Sequence, residues 1–570
     1  MIDPRIYRAG FVPALVALVI VMFSVQPLPE PLEAPTSTAG FEAGPAAHTA
    51  QQIATAAPTR TPGSGGDAAA AQIVAERFSA IEGGELSEQT FEGSFDGDDA
   101  ELRNVILTLP GESERQVVVI ADRDSGDGPG LASSAAATGA LVEIAEGFGG
   151  ARHSKTLVFV STSGGSDGAQ GAREFARSYP ERDLIDAAIA IEQPGAQEPV
   201  PPHVIPWSSD QESTSIQLTL TADDAVAEQT DQRGDGTGLV SGLLRLALPS
   251  ALGVQSALIA EGIDSVGISS AGERPLPSSS DGIGSLSPAT LGAFGRAALS
   301  VIVTLDAAAE PPEHGPSTYV TISGNLIPGW SLALLAIALV LPAALASVDA
   351  MARAWRRGEG RPRDLAWVVT RSLPFAAVLL LAYLLALTGL APSPEFPYDP
   401  GRFSLGWRAG IVLTILVISF ALAWIVIRPL TVPRRAGREG LAAAAGVVLC
   451  GCVAVVWLIN PYLALFCVPI AHVWLAAIGP GGPARRAGIA AAIVAAAILP
   501  LVLIVDLAAR LEVGVAIPWH LLLRVTGGET SFPAAVIGCL IAGGLVALVA
   551  AAQAPEEAAV GPRIAAKGPG

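Results

Sequence analysis

The chain has 570 residues, of which 51% are hydrophobic and only 15% charged, too apolar for an ordinary soluble protein of one or two domains. Its formal net charge of −19 resides largely in the N-terminal half, which argues against a nucleic-acid partner. The four cysteines (Cys450, Cys452, Cys467 and Cys539) all fall in apolar helical stretches, so no disulfide framework is expected in the polar half.

Phe11–Val25 is an apolar run preceded by Arg5 and Arg8, and 1–26 reads as an uncleaved transmembrane anchor with its N-terminus inside. A cleaved signal peptide is the rival reading, but no small-x-small cleavage site follows the run. Residues 27–67, rich in Pro, Ala, Thr and Gly, are expected to form a flexible linker. An α/β domain then occupies 68–310. Its expected elements are a helix at Ala68–Ile81, strands near Phe91–Phe95 and Asn104–Leu109, and a strand–helix–strand–helix unit between Arg115 and Tyr179. In that unit Val117–Ile120 and Thr156–Val160 are continuous apolar strands buried on both faces. Leu131–Phe148 and Ala172–Ser178 are the helices, and the crossover requires parallel strands. Ala187–Ile191 follows as another buried strand, and Ser215–Thr221, which alternates in polarity, as an edge strand. Helices at Leu239–Leu248 and Val254–Glu261, a short strand at Ser265–Ile268 and a closing helix at Ser287–Leu305 complete the domain.

Seven further apolar spans lie near 327–350, 366–390, 409–428, 440–459, 461–479, 487–508 and 532–552, giving a seven-helix transmembrane domain over 326–555. Basic segments recur after every second span: Arg353–Arg363, then Arg428, Arg434, Arg435 and Arg438, then Arg485 and Arg486. By the positive-inside rule both termini, including a tail at 556–570, are cytoplasmic, and the α/β domain lies outside the cell membrane.

The stretch from Asn104 to Phe175 resembles the zinc aminopeptidase family that includes bacterial leucyl aminopeptidase and glutaminyl cyclase. The resemblance runs through Asn104-Val105-Ile106-Leu107-Thr108-Leu109-Pro110-Gly111, the apolar strand ending at Ala121–Ser125, Thr138-Gly139-Ala140-Leu141, and Gly168–Phe175. It implies an aminopeptidase-like fold, a mixed central sheet flanked by helices, joined here to an all-α polytopic membrane domain. Residue by residue, the family's first metal-ligand His falls on Asp122 and its bridging Asp on Ala135, beside Ser133 and Ser134. The Glu-Glu pair falls on Gly165 and Ser166, the following Asp on Glu192, and the last His in Pro277–Asp281, which holds no His. A two-metal hydrolase needs several N/O ligands and a base; only Asp122 and Glu192 are left as possible ligands. The resemblance therefore implies a catalytically degenerate domain with no catalytic residues and no cofactor. Zinc enters only if the chain is an active membrane-bound metallo-aminopeptidase with non-standard ligands. The arrangement of anchor, outer domain and bundle resembles the large membrane subunit of the GPI transamidase and the endoplasmic-reticulum membrane metallopeptidases.

None of the six histidines lies in a metal motif; His153 reads as a surface loop residue and His472 as a helix-packing hydrogen bond. Asp506, within an apolar run, has Arg510 four residues on and is expected to pair with it. The loop Ser163–Gly168 follows a parallel strand, where α/β folds place ligands, but lacks the nucleophile-elbow and phosphate-loop patterns. It reads as a structural turn, or as a polar pocket formed by Asp122, Asp124, Ser166, Asp167 and Glu192. Pro518–Arg524 either lies in the membrane interface or packs on the outer domain. The expected function is binding or scaffolding of a peptide, a lipid-linked substrate or a partner protein beside the lipid bilayer. The alternatives are the active metallo-aminopeptidase and a transporter or lipid-handling enzyme acting through the bundle.

Overall fold

The computed structural model describes residues 3–35, 40–95, 98–126, 128–231, 238–277, 280–358, 362–430, 438–477 and 483–553. The N-terminal helices α1 (Pro4–Ala9) and α2 (Phe11–Phe23) lead through β1 (Gln26–Pro27) to α3 (Ala43–Ala56) and α4 (Gly65–Ser79). The sheet region follows as β2 (Glu85–Phe95), β3 (Asp98–Leu109), β4 (Ser113–Asp122), α5 (Ser134–Phe148), β5 (Lys155–Thr162), α6 (Gln170–Ser178), β6 (Ile185–Glu192) and β7 (Val204–Ile205). Next come α7 (Ile216–Thr230), α8 (Leu239–Ala247), α9 (Val254–Ala260), β8 (Ser265–Ser269), α10 (Pro288–Ala307), β9 (Tyr319–Ile322) and β10 (Asn325–Pro328). The bundle consists of α11 (Gly329–Arg356), α12 (Pro362–Thr370), α13 (Leu373–Leu387), α14 (Trp407–Leu430), α15 (Arg438–Ile459), α16 (Pro461–His472), α17 (Pro483–Arg510), α18 (Ile517–Thr526) and α19 (Phe532–Gln553).

A mixed seven-stranded sheet in the order β2-β3-β5-β4-β6-β8-β7 forms the centre of the α/β domain. β5, β4, β6 and β8 run parallel, as the crossover unit requires, while β2, β3 and β7 are antiparallel additions. Because both faces are covered, β5 is buried along its whole length, which is why its centre, Leu157–Val160, is a continuous apolar run rather than an alternating one. α3, α4, α5, α7 and α10 pack on one face, and α6 and α9 on the other. This is an aminopeptidase-like layer arrangement, and it leaves the carboxyl ends of β4, β5 and β6 free to carry loops.

Three expectations need correction here. The expected flexible linker 27–67 contains α3, whose Ala46, Ala47, Ala50, Ile53 and Ala54 are buried. Alanine content suggests a tether by composition, yet alanines also let a helix approach closely: a Cβ on Gly139 of α5 would lie 2.4 Å from Ala46 O. Ser215–Thr221 is not an edge strand but the start of α7. Ser215 Oγ caps it by accepting from Leu218 N at 3.1 Å, and Thr219 and Thr221 satisfy their hydroxyls on carbonyls four residues back. His153 is buried rather than on the surface, its Nδ1 2.7 Å from Lys155 O and its ring edge-on to Phe148.

Among the described residues seven helices are long and apolar enough to cross a membrane. One of them, α10, belongs instead to the α/β core, where Leu291, Phe294, Val301 and Ile302 are buried. The expected span at 366–390 is the pair α12–α13, bent by 45°. The span expected at 461–479 is α16 continued by a tight turn to Ala477, shorter than a bilayer normally needs. Asn460 makes the reversal from α15 to α16: its Oδ1 accepts from Tyr462 N and Leu463 N, with Pro461 at the first helical position. β1 pairs with β10, so the exit of α2 and the entry of α11 are pinned side by side. Parts of the basic segments fall outside the described residues, as does the tail 556–570.

The domain sits on the bundle through the end of α8. Asn460 Nδ2 donates to Leu246 O and Ala247 O, Arg510 Nη2 to Leu248 O at 3.0 Å, and Arg524 Nη2 to Pro249 O at 3.0 Å. Cationic groups at a helix C-terminus complement its dipole and its unpaired carbonyls. Arg510 also pairs with Asp506 at 2.8 Å. α18 packs inward: Trp519 and His520 are buried, and Trp519 Nε1 donates to Phe403 O at 2.8 Å.

Candidate functional site

A cavity of about 360 Å³ opens where β4, β5 and β6 end, the position at which parallel sheets hold ligands. Asp122 is the last residue of β4, and Asp124 lies two residues further on. Gly165 N donates to both carboxylates, 3.2 Å from Asp122 Oδ1 and 2.8 Å from Asp124 Oδ1. Ser166 donates to Asp124 Oδ2 through its N, at 3.1 Å, and through its Oγ. The two carboxyls are also hydrogen-bonded to one another. Burial, reinforced by the neighbouring Asp124, pushes Asp122 well above the usual carboxylate range. Burial acts on Asp124 in the same direction, but the hydrogen bonds from Asp122, Ser166 and Gly165 outweigh it and hold Asp124 below its usual value. The two carboxyls titrate as a coupled pair, pushed in opposite directions by their surroundings.

Arg123, between them, faces the interior. Its Nε is 2.8 Å from Asp67 Oδ1 and its Nη1 donates to Ser161 O at 3.0 Å. Asp67 Oδ2 accepts from Ser163 Oγ at 2.6 Å, which ties the end of β5 to the same buried pair. Arg60, also fully buried, donates to Arg123 O, Ala57 O and Pro129 O and to Ser134 Oγ at 2.9 Å, and so fixes the loop from Arg123 to Ser134.

Glu192 ends β6 and is 9% exposed. Its Oε1 accepts from Val254 N at 2.8 Å, yet burial outweighs the backbone hydrogen bonds and pushes it up to about 7. Gln255 Oε1 is buried without a hydrogen-bond donor. It lies 2.1 Å, and the Glu192 oxygens 2.3 and 2.4 Å, from where a Cβ on Gly253 would stand. Across the cavity Asp281 accepts from Ala132 N at 2.6 Å and from Ser133 Oγ.

Of the five expected pocket residues, Asp122, Asp124, Ser166 and Glu192 line the cavity. Asp167 does not. It is 7% exposed, and its backbone forms an antiparallel bridge to Tyr398 instead. Sequence reasoning missed Asp67, Arg60, Arg123, Asp281 and the bundle residues Tyr398, Asp399 and Arg402, which also line the cavity or support it.

A two-zinc centre does not fit these residues. Among the described residues no group of three or more His, Cys, Asp or Glu side chains is arranged to hold a metal. Asp122 and Glu192, the remaining candidates, are spent on Asp124 and on the start of α9. A Cβ at Gly165 would stand 2.1 Å from Asp122 Cγ, so a glutamate there is incompatible with the observed carboxyl pair.

The fold thus defines an aminopeptidase-like α/β domain joined to a helical region with candidate membrane spans. Residues 104–236 match the model described as Peptidase family M28. Among solved structures, the chain is similar to glutaminyl cyclase from an Acidobacteriales bacterium, with 16% identity, 48% of this chain and 98% of that chain covered, and a TM-score of 0.36. It is also similar to a zinc aminopeptidase from Bacillus subtilis, with 12% identity, coverage of 49% and 99%, and a TM-score of 0.38. A Zn-dependent exopeptidase from Parabacteroides distasonis matches with 17% identity, coverage of 47% and 99%, and a TM-score of 0.35.

Proposed function

We propose that this protein is a non-catalytic membrane component whose peptidase-like domain binds or scaffolds a peptide, a lipid-linked substrate or a partner protein in the cavity. The observation that carries the reading is the Asp122–Asp124 pair. Where hydrolysis would need a metal-bound water and a base, the chain has two carboxyls closed on one another by Gly165 and Ser166. Loss of a general base alone costs on the order of 10²–10⁴-fold in rate, and here the ligand set is spent as well. No resident zinc belongs to this reading. The domain faces outward and both termini are cytoplasmic; in support, Arg353, Arg356 and Arg357 gather at the end of α11 remote from β10.

The test is the metal content of the full chain, purified in detergent after zinc exposure, together with turnover of aminopeptide substrates. Substoichiometric zinc without turnover is expected. Two equivalents of bound zinc with turnover would overturn the reading.

A further inference from the structure

The cavity has a wall that the α/β domain does not supply. Pro397, Tyr398, Asp399, Gly401 and Arg402, from the segment between α13 and α14, line it. This segment lies on the Gly164–Ala169 loop as an extended strand does. Gly168 N donates to Pro397 O at 2.8 Å, Asp167 and Tyr398 form an antiparallel bridge, and Arg173 Nη2 donates to Phe396 O at 3.2 Å. The Arg402 guanidinium stands 4.4 Å from the centre of the Phe95 ring.

The attachment on the other side is of a different kind. Tyr398 is 3% exposed, packed in one apolar cluster with Ala382 of α13, Val412 and Leu416 of α14, and Trp519 and Leu523 of α18. Its OH is 3.2 Å from His520 Nδ1, and Thr526 Oγ1 donates to Pro392 O at 3.0 Å. Side chains thus root the segment in the bundle. Toward the α/β domain its backbone meets the Gly168 N–H and the Arg173 guanidinium, bonds that water or another extended backbone can replace, and the Arg402 side chain adds its contact with Phe95.

We propose that residues 395–402 form a strap, carried by α13, α14 and α18, that narrows the mouth of the cavity and must leave the Gly164–Ala169 loop before an extended ligand can pair with that edge. Movement of the bundle helices then governs access, and an incoming extended peptide competes for the edge that Pro397 and Tyr398 occupy. The identity of what enters rests on the binding reading above; closure itself rests on the strap.

A disulfide in the full chain tests closure. A Cβ at Gly168 would lie 3.5 Å from Glu395 Cβ, within the roughly 3.5–4.5 Å that a disulfide spans. The probe is a membrane-impermeant maleimide acting on a Ser133→Cys reporter in lipid nanodiscs, with the chain lacking the reporter giving the background. In Gly168→Cys/Glu395→Cys/Ser133→Cys protein, oxidation is expected to slow labelling by on the order of ten-fold or more relative to the reduced form. Labelling is read at position 133 by peptide mass, so that the thiols at 168 and 395 do not contribute, and in the reduced form it should match Ser133→Cys alone, which checks folding. Equal rates before and after oxidation would overturn the proposal, as would failure of a well-folded pair to cross-link. Gly168 has φ +76°, so a cysteine there is strained, and hydrogen exchange of the unaltered chain gives a second measurement. The Gly168 amide should exchange on the order of 100-fold faster than those of Val119 and Val158 in the sheet; protection equal to theirs would overturn the strap. A cavity that is gated yet binds no peptide would instead count against the binding reading alone.

Discussion

Glu192 offers the sharpest test of the site's electrostatics. Its carboxyl titrates near 7 rather than 4.5 because it is buried, so the folded chain holds this proton more tightly than the unfolded chain does. Stability is then lost as pH rises from the unfolded value through the folded one, at about 1.36 kcal/mol per pH unit. Over that interval the loss is roughly 3 kcal/mol, present in full only above neutral pH. Glutamine at this position stands in for the protonated state: it is neutral, close to the same size, and its oxygen can accept from Val254 N. Glu192→Gln should therefore match the wild type near pH 5 and exceed it by up to roughly 3 kcal/mol near pH 8.5. At roughly 2–4 °C per kcal/mol for a domain of this size, that corresponds to about 6–12 °C. Thermal unfolding of the full chain in detergent across that pH range reads the difference. If the two proteins track one another, or if the wild type gains on the variant as pH rises, burial does not raise the Glu192 carboxyl and the reasoning is wrong.

Three further outcomes follow from the same contacts. Asp67→Ala leaves the Arg123 guanidinium buried without its carboxylate and should cost about 3–5 kcal/mol, measured by denaturant or thermal unfolding. Gly139→Leu drives a side chain into the Ala46 carbonyl of α3 and should cost about 1–3 kcal/mol; limited proteolysis should then cut within 43–56, and continued resistance there would mean that α3 is not docked. Asn460→Ala removes both the α16 cap and the donor to Leu246 and Ala247. A cost of about 1–3 kcal/mol is expected, together with faster amide exchange at the end of α8.

Legibility in the sequence followed how locally each feature is encoded. β4, β5 and the helix between them were readable because a strand buried on both faces writes itself as an apolar run, and the resemblance then set Asp122 and Glu192 at strand ends. α7 was not, since Ser215, Thr219 and Thr221 alternate like a strand while their hydroxyls are absorbed by the helix's own carbonyls. Arg60 stood in a stretch whose composition suggested a tether, and only the three carbonyls brought together by the fold give that buried guanidinium a purpose. Tyr398 was invisible for a further reason: it comes from a bundle segment far along the chain, and nothing near it in sequence reports the Gly164–Ala169 loop it meets. Gly165 unites the two kinds of information. In the sequence it falls, by resemblance, where the aminopeptidase family has a glutamate; in space its lack of a side chain leaves room for the Asp122 carboxyl, which it holds beside Asp124 through its backbone N–H. A glycine at this position therefore permits the carboxyl pair, and the loop it steadies is the one on which the bundle's strap rests.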